Sequence, residues 1–148
     1  MLKDTAKAED AVQEIFTKIF LNLSKFSGKS KFSTWLYSIT YNFCIDVIRK
    51  NKKNKSVFTD DIERAPDIVD DLEDHELLQM RVDRLKVVLE NVPVGDKAIL
   101  LMKYNEDFSI VEIAEALGKS ESAVKMKIMR AKHKAKSVHD KLFKNKEN

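Results

Sequence analysis

A single cysteine, Cys44, stands in the 148-residue chain, so no internal disulfide can form. The three histidines fall at no ligand spacing with it or with one another, which argues against a zinc site and predicts no metal or other cofactor. Three glycines and two prolines are too few for the tight turns of a β-sandwich or barrel. No apolar run approaches the ~20 residues that cross a bilayer, and no leader pattern opens the chain. The expected setting is therefore the cytoplasm, without membrane insertion. Glycine-rich phosphate loops and nucleophile–base signatures are missing too, so the sequence predicts no enzyme. What is present is 43% hydrophobic residues, close to the globular norm. The predicted fold is all-α.

Charge is sorted along the chain. Residues 1–55 hold 11 Lys/Arg against 5 Asp/Glu, residues 56–96 hold 4 against 12, and residues 97–148 hold 12 against 7. Two basic blocks thus flank an acidic one. Such asymmetry suits two polyanion-binding units joined by a segment that repels phosphate, whereas a merely solvated surface mixes its signs.

Periodicity divides the chain the same way. Ala8, Ala11, Val12, Ile15, Phe16, Ile19, Phe20 and Leu23 share one helical stripe, opposite Asp10, Gln13, Glu14, Thr17 and Lys18. A loop over 24–31 precedes a second helix, with Ser33 as its expected N-cap and Leu36, Ile39, Phe43 and Val47 as its buried row. Residues 56–72, with Pro66 and six aspartates and glutamates in no sustained period, read as a linker between a domain over 1–55 and another over 73–148. Leu78, Val82, Leu85, Leu89 and Val92 predict a third helix, ended by Pro93. A short helix is expected over 95–105.

The strongest local pattern follows. Ser109 stands three residues before Glu112, a capping box ahead of Ile113, Ala114 and Leu117. Gly118 can take the left-handed cap, and Ser120 can start a helix whose buried row is Val124, Ile128, Ala131, Ala135, Val138 and Leu142. This is a helix–turn–helix. Its second helix leaves Ser122, Lys125, Met126, Met129 and Arg130 on the side that enters a major groove, with Lys119 and Lys127 suited to phosphates. Seven basic residues and one acid lie between Lys119 and Lys136. Arg130 can offer a bidentate fork to a guanine edge or a phosphate. Met126 suits either a base contact or partial packing.

A second candidate lies in the first block. Phe32, Trp35 and Tyr37 sit beside Lys25, Lys29 and Lys31, a mixture of ring faces and cations that suits unstacked bases. Core packing of Phe32 and Trp35 is the competing reading. Asn42, Asp46, Arg49 and Lys50 then share one polar face, where Asn42 suits a base edge and the two cations suit phosphates.

Together these segments resemble the extracytoplasmic-function sigma factors of the sigma-70 superfamily. Residues 8–16 look like the core-polymerase-binding helix, residues 32–39 with Asn42, Asp46 and Arg49 like the promoter-melting and minus-ten segment, and residues 109–131 like the minus-thirty-five helix–turn–helix. The resemblance implies that Asp10, Gln13 and Glu14 meet core RNA polymerase. It also implies that Lys31, Phe32, Trp35, Asn42, Asp46, Arg49 and Lys50 line the minus-ten strand, that the 26–33 loop takes a flipped base, and that Lys119, Ser122, Lys125, Met126, Lys127 and Arg130 meet the minus-thirty-five duplex. Core RNA polymerase, promoter DNA and an anti-sigma factor are the implied partners. Members of this family carry one or two further helices before the 8–16 segment, so with the chain starting at Met1 the Phe16–Phe20 stripe is expected to lack cover. A stand-alone helix–turn–helix regulator, with 1–55 as a partner-binding domain, is the alternative.

Overall fold

The computed structural model describes residues 2, 4–53 and 82–143, except the side chains of 52, 53, 82 and 83. Among them are six α-helices and no strand: α1 (Thr5–Asn22), α2 (Phe32–Lys53), α3 (Val82–Asn91), α4 (Val94–Tyr104), α5 (Ile110–Leu117) and α6 (Glu121–Phe143), with a 3-10 turn at Leu23–Lys25. The acidic segment 56–72 and Leu78 lie outside the described residues.

The first two helices pack together around a thin core. Asp4 starts α1, its side chain accepting from the Lys7 amide. Only Ala11 and Ile15 of the α1 stripe are buried. Val12, Phe16, Phe20 and Leu23 stay exposed, Phe16 at 68% and Phe20 at 78%. Helix α2 begins one residue before the expected cap. Ser33 therefore lies in its first turn, and the Lys31 carbonyl accepts from the Trp35 amide. Leu36, Ile39, Phe43 and Val47 are half-buried, and Cys44 is buried, its thiol pushed above the ordinary range by desolvation.

The remaining four helices enclose the main core. Val88, Ile99, Met102, Ile113, Val124, Ile128, Ala131 and Ala135 are buried there. Each large aliphatic among them contributes roughly 1.5–3 kcal/mol relative to leaving it in water. Val88, which the expected row leaves out, is fully buried beside Val92 of that row, and Leu85 and Leu89 are half-buried. The capping box forms in full: the Glu112 amide donates to Ser109 Oγ at 3.2 Å, and the Ser109 amide donates to Glu112 Oε2 at 2.8 Å. Gly118 sits at φ 60°, and the next amide, of Lys119, donates to the Ala114 carbonyl at 2.9 Å, closing α5 and turning the chain into α6. Ser120 Oγ accepts from the Ala123 amide at 3.2 Å.

The two helical units touch. Helix α2 packs on α5 as extensively as α4 packs on α6.

Candidate nucleic-acid interface

The geometry of α6 follows from its buried row. Val124, Ile128 and Ala131 face α4 and α5, so the residues between them must face outward. Ser122, Lys125 and Arg130 are exposed, Met126 is 43% exposed and Met129 half-buried. Lys119, in the turn, is exposed as well. These side chains occupy one open side over about two turns, a size that fits a major groove.

Lys127 departs from that side. It is half-buried, and its ammonium lies 3.9 Å from Asp96 Oδ1. Lys134 reaches the other Asp96 oxygen at 3.2 Å. Asp96 is buried in the first turn of α4, where backbone amides and the positive end of the helix favour a carboxylate. These pairs tie α6 to α4.

On α2 the predicted polar face is open: Asn42, Asp46, Arg49 and Lys50 are all exposed. Ahead of them three rings gather. Phe26 meets Phe32 edge-on at 5.4 Å between centroids, and Trp35 lies 5.4 Å from Phe26 and 5.6 Å from Phe32. Phe32 remains 47% exposed and Trp35 half-buried, so the rings pack on one another yet keep a face toward solvent. Phe26 was not singled out from the sequence. Its signal was available, since it precedes Gly28, which turns the loop at φ 70° and brings Phe26 back over α2.

Lys31 does not stand free beside these rings. Its ammonium is 2.7 Å from Glu112 Oε1, at the start of α5. That hydrogen bond raises the Lys31 pKa, and together with the Ser109 amide it lowers the Glu112 carboxyl to about 2. On α1, Asp10, Gln13 and Glu14 are exposed, as is the apolar row Val12, Phe16 and Phe20.

Tyr37 was expected to join the aromatic group but points elsewhere. Its ring meets Phe108 edge-on at 5.0 Å, and the Glu106 carboxylate lies near its hydroxyl. Burial, then that acceptor, push the phenol up to about 12. Tyr41, whose pKa is raised chiefly by desolvation, packs against the main core.

Among the described residues no helix is long and apolar enough to cross a membrane, and no cluster of three or more His, Cys, Asp or Glu suits a metal ion.

Comparison with known proteins bears on this arrangement. The family model for sigma-70 region 2 matches residues 1–54, and that for sigma-70 region 4 matches residues 83–134. The ECF RNA polymerase sigma factor SigW of Bacillus subtilis (strain 168) is 30% identical over 140 residues, covering 89% of this chain and 75% of SigW. SigX of the same organism is 31% identical over 137 residues, covering 84% and 66%. The sigma factor RpoE, solved with the anti-sigma factor NepR from Bartonella quintana, superposes with a TM-score of 0.66 at 20% identity, covering 93% of this chain and 83% of RpoE. CnrH, solved with the cytosolic domain of CnrY, gives 0.59 at 22% identity over 93% and 73%. With two sigma-70 regions in order and an all-helical fold that carries them, the chain belongs to the extracytoplasmic-function sigma factors of the sigma-70 family.

Proposed function

We propose that this sigma factor docks on core RNA polymerase through α1 and holds a promoter at two places, reading the minus-thirty-five duplex with α6 and the minus-ten strand with α2. Residues 1–55 form the polymerase and minus-ten unit, 56–72 the tether and 73–148 the minus-thirty-five unit. Within α1, Asp10, Gln13 and Glu14 make the polar contacts to polymerase. Ser122, Lys125, Met126 and Arg130 meet base edges or adjacent phosphates, and Lys119 serves a phosphate, whereas Lys127, expected to do the same, is drawn to Asp96 instead. Asn42, Arg49 and Lys50 follow the melted strand beside Asp46, and the Phe32–Trp35 faces take unstacked bases. The protein works by binding and positioning, in the cytoplasm, and catalyses nothing itself. An anti-sigma factor is its proposed regulator, as NepR is seen bound to RpoE.

One observation carries this reading: α6 is buried along Val124, Ile128 and Ala131 and open along Ser122, Lys125, Met126 and Arg130, on an intact helix–turn–helix. The test mixes the protein with sigma-free core polymerase and follows co-migration and promoter-dependent initiation. Asp10→Ala with Gln13→Ala should weaken polymerase binding while leaving the helical fold unchanged. Dimeric binding to a palindromic duplex without polymerase affinity would replace the proposal with a stand-alone regulator.

A further inference from the structure

Not every cation of α6 is offered to DNA. Lys127, Arg130 and Lys134 stand at i, i+3 and i+7, so they share one flank of the helix. Arg130 is exposed, but Lys127 and Lys134 direct their ammonium groups to the two oxygens of Asp96, at 3.9 and 3.2 Å. Gly95 leaves room for this, since a Cβ there would come within 3.4 Å of the Lys127 ammonium. Among the described residues Asp96 is the only buried acid. The two lysine side chains are nevertheless 31% and 36% exposed, so a phosphate could reach them if the carboxylate let go.

Electrostatics sets what that pairing does to the interface. Phosphate contacts strengthen binding to every sequence alike, and each one adds about 0.9 to the salt slope. At ~0.1 M salt a slope of that size is worth up to roughly eightfold in affinity per phosphate. A carboxylate held against two ammonium groups cancels much of the field they send toward DNA. Arg130 takes no part in these pairs and keeps its fork for a base edge. Non-specific sites outnumber promoters by orders of magnitude in a genome, so each phosphate contact withheld keeps the protein off arbitrary duplex.

We propose that Asp96 is a brake on sequence-independent DNA binding, holding Lys127 and Lys134 back from the phosphate backbone. It contacts no nucleotide and acts through the two lysines as a positioning residue. This role rests on the duplex reading by α6 proposed above and deepens it by setting the backbone affinity of that helix. The measurement is fluorescence anisotropy of the full chain, without polymerase, across a salt series. Two duplexes are compared, one selected from a randomised pool and one scrambled. Asp96→Asn keeps the size of the side chain and an oxygen acceptor but removes the charge.

Asp96→Asn should steepen the salt slope on both duplexes by about 0.9 for each lysine released, and tighten both by up to roughly eightfold per lysine at ~0.1 M salt. The preference for the selected duplex should stay as it was. Glu90→Gln, at an exposed acid of α3, removes one negative charge elsewhere and should change the slope far less. Lys127→Ala leaves Lys134 on Asp96; it should not alter the slope of the unmutated chain but should remove about 0.9 from that of Asp96→Asn. An Asp96→Asn slope no steeper than that of Glu90→Gln, with helicity retained, makes Asp96 a structural acid and overturns the proposal. A slope lowered by Lys127→Ala alone also overturns it, because Lys127 would already serve a phosphate, and this arm holds even if Asp96→Asn fails to fold. Equal binding of both duplexes by the unmutated chain removes base reading by α6, while the scrambled-duplex slopes still decide the role of Asp96.

Discussion

Arg130 offers the sharpest test of how α6 reads DNA. It is exposed, eight residues beyond Ser122 on the same helix, a rise of about 12 Å that matches the major-groove width of ~12 Å. Because its guanidinium lies outside the Val124–Ile128–Ala131 row, Arg130→Ala should change folding stability by no more than ~0.5 kcal/mol. Any loss of DNA affinity then belongs to the interface. A bidentate contact to a base is worth ~1–3 kcal/mol, which predicts roughly five- to 140-fold weaker binding. The assay is fluorescence anisotropy on a duplex selected by the unmutated protein from a randomised pool, beside a scrambled duplex, across a salt series. Arg130→Ala should weaken the selected duplex and leave the scrambled one nearly as before. Lys125→Ala, as a phosphate contact, should weaken both alike and reduce the salt slope by about one. Equal loss on both duplexes for Arg130→Ala would show that Arg130 contacts backbone only, and the base-reading assignment would fail.

Three further outcomes are expected. Gly118→Ala, with φ 60° and open space around the added methyl, meets no clash but adopts a left-handed backbone, so urea unfolding should show a loss of roughly 1–2 kcal/mol; a neutral result would mean that the turn relaxes. Glu112 has its folded pKa depressed from 4.5 to about 2, so its ionic contribution is complete above the unfolded value and disappears as pH falls through that window. The stability difference between the unmutated chain and Glu112→Gln should therefore hold at neutral pH and shrink toward zero at about pH 2, and a difference that persists there contradicts the Lys31 assignment. Phe16→Gln removes an exposed ring from the α1 stripe, so it should alter stability by less than ~0.5 kcal/mol while reducing self-association in light scattering; a large destabilisation would show that the stripe is covered in solution.

Local signals carried most of the C-terminal unit. The Ser109–Glu112 box, the Gly118 cap and the Ser120 cap each depend on residues within three or four positions, and all three formed where the sequence put them. The α6 row was legible for the same reason, since Val124, Ile128, Ala131 and Ala135 repeat at the helical period and are all buried. Periodicity says which side chains share a face but not whether anything covers that face. That is why Phe16 and Phe20, on a well-formed stripe, are open while Val88 of α3 is sealed by α6. Ser33 illustrates a smaller failure: a helix can begin earlier than its best capping residue when the preceding carbonyl, here of Lys31, accepts the first bond. The ring group was half-visible. Phe32 and Trp35 were weighed between core and stacking, and they do some of each, because Phe26 supplies a private partner. Nothing in the sequence pointed to Tyr37 meeting Phe108, a pair set by long-range packing and separated by an acidic stretch that suggested independence.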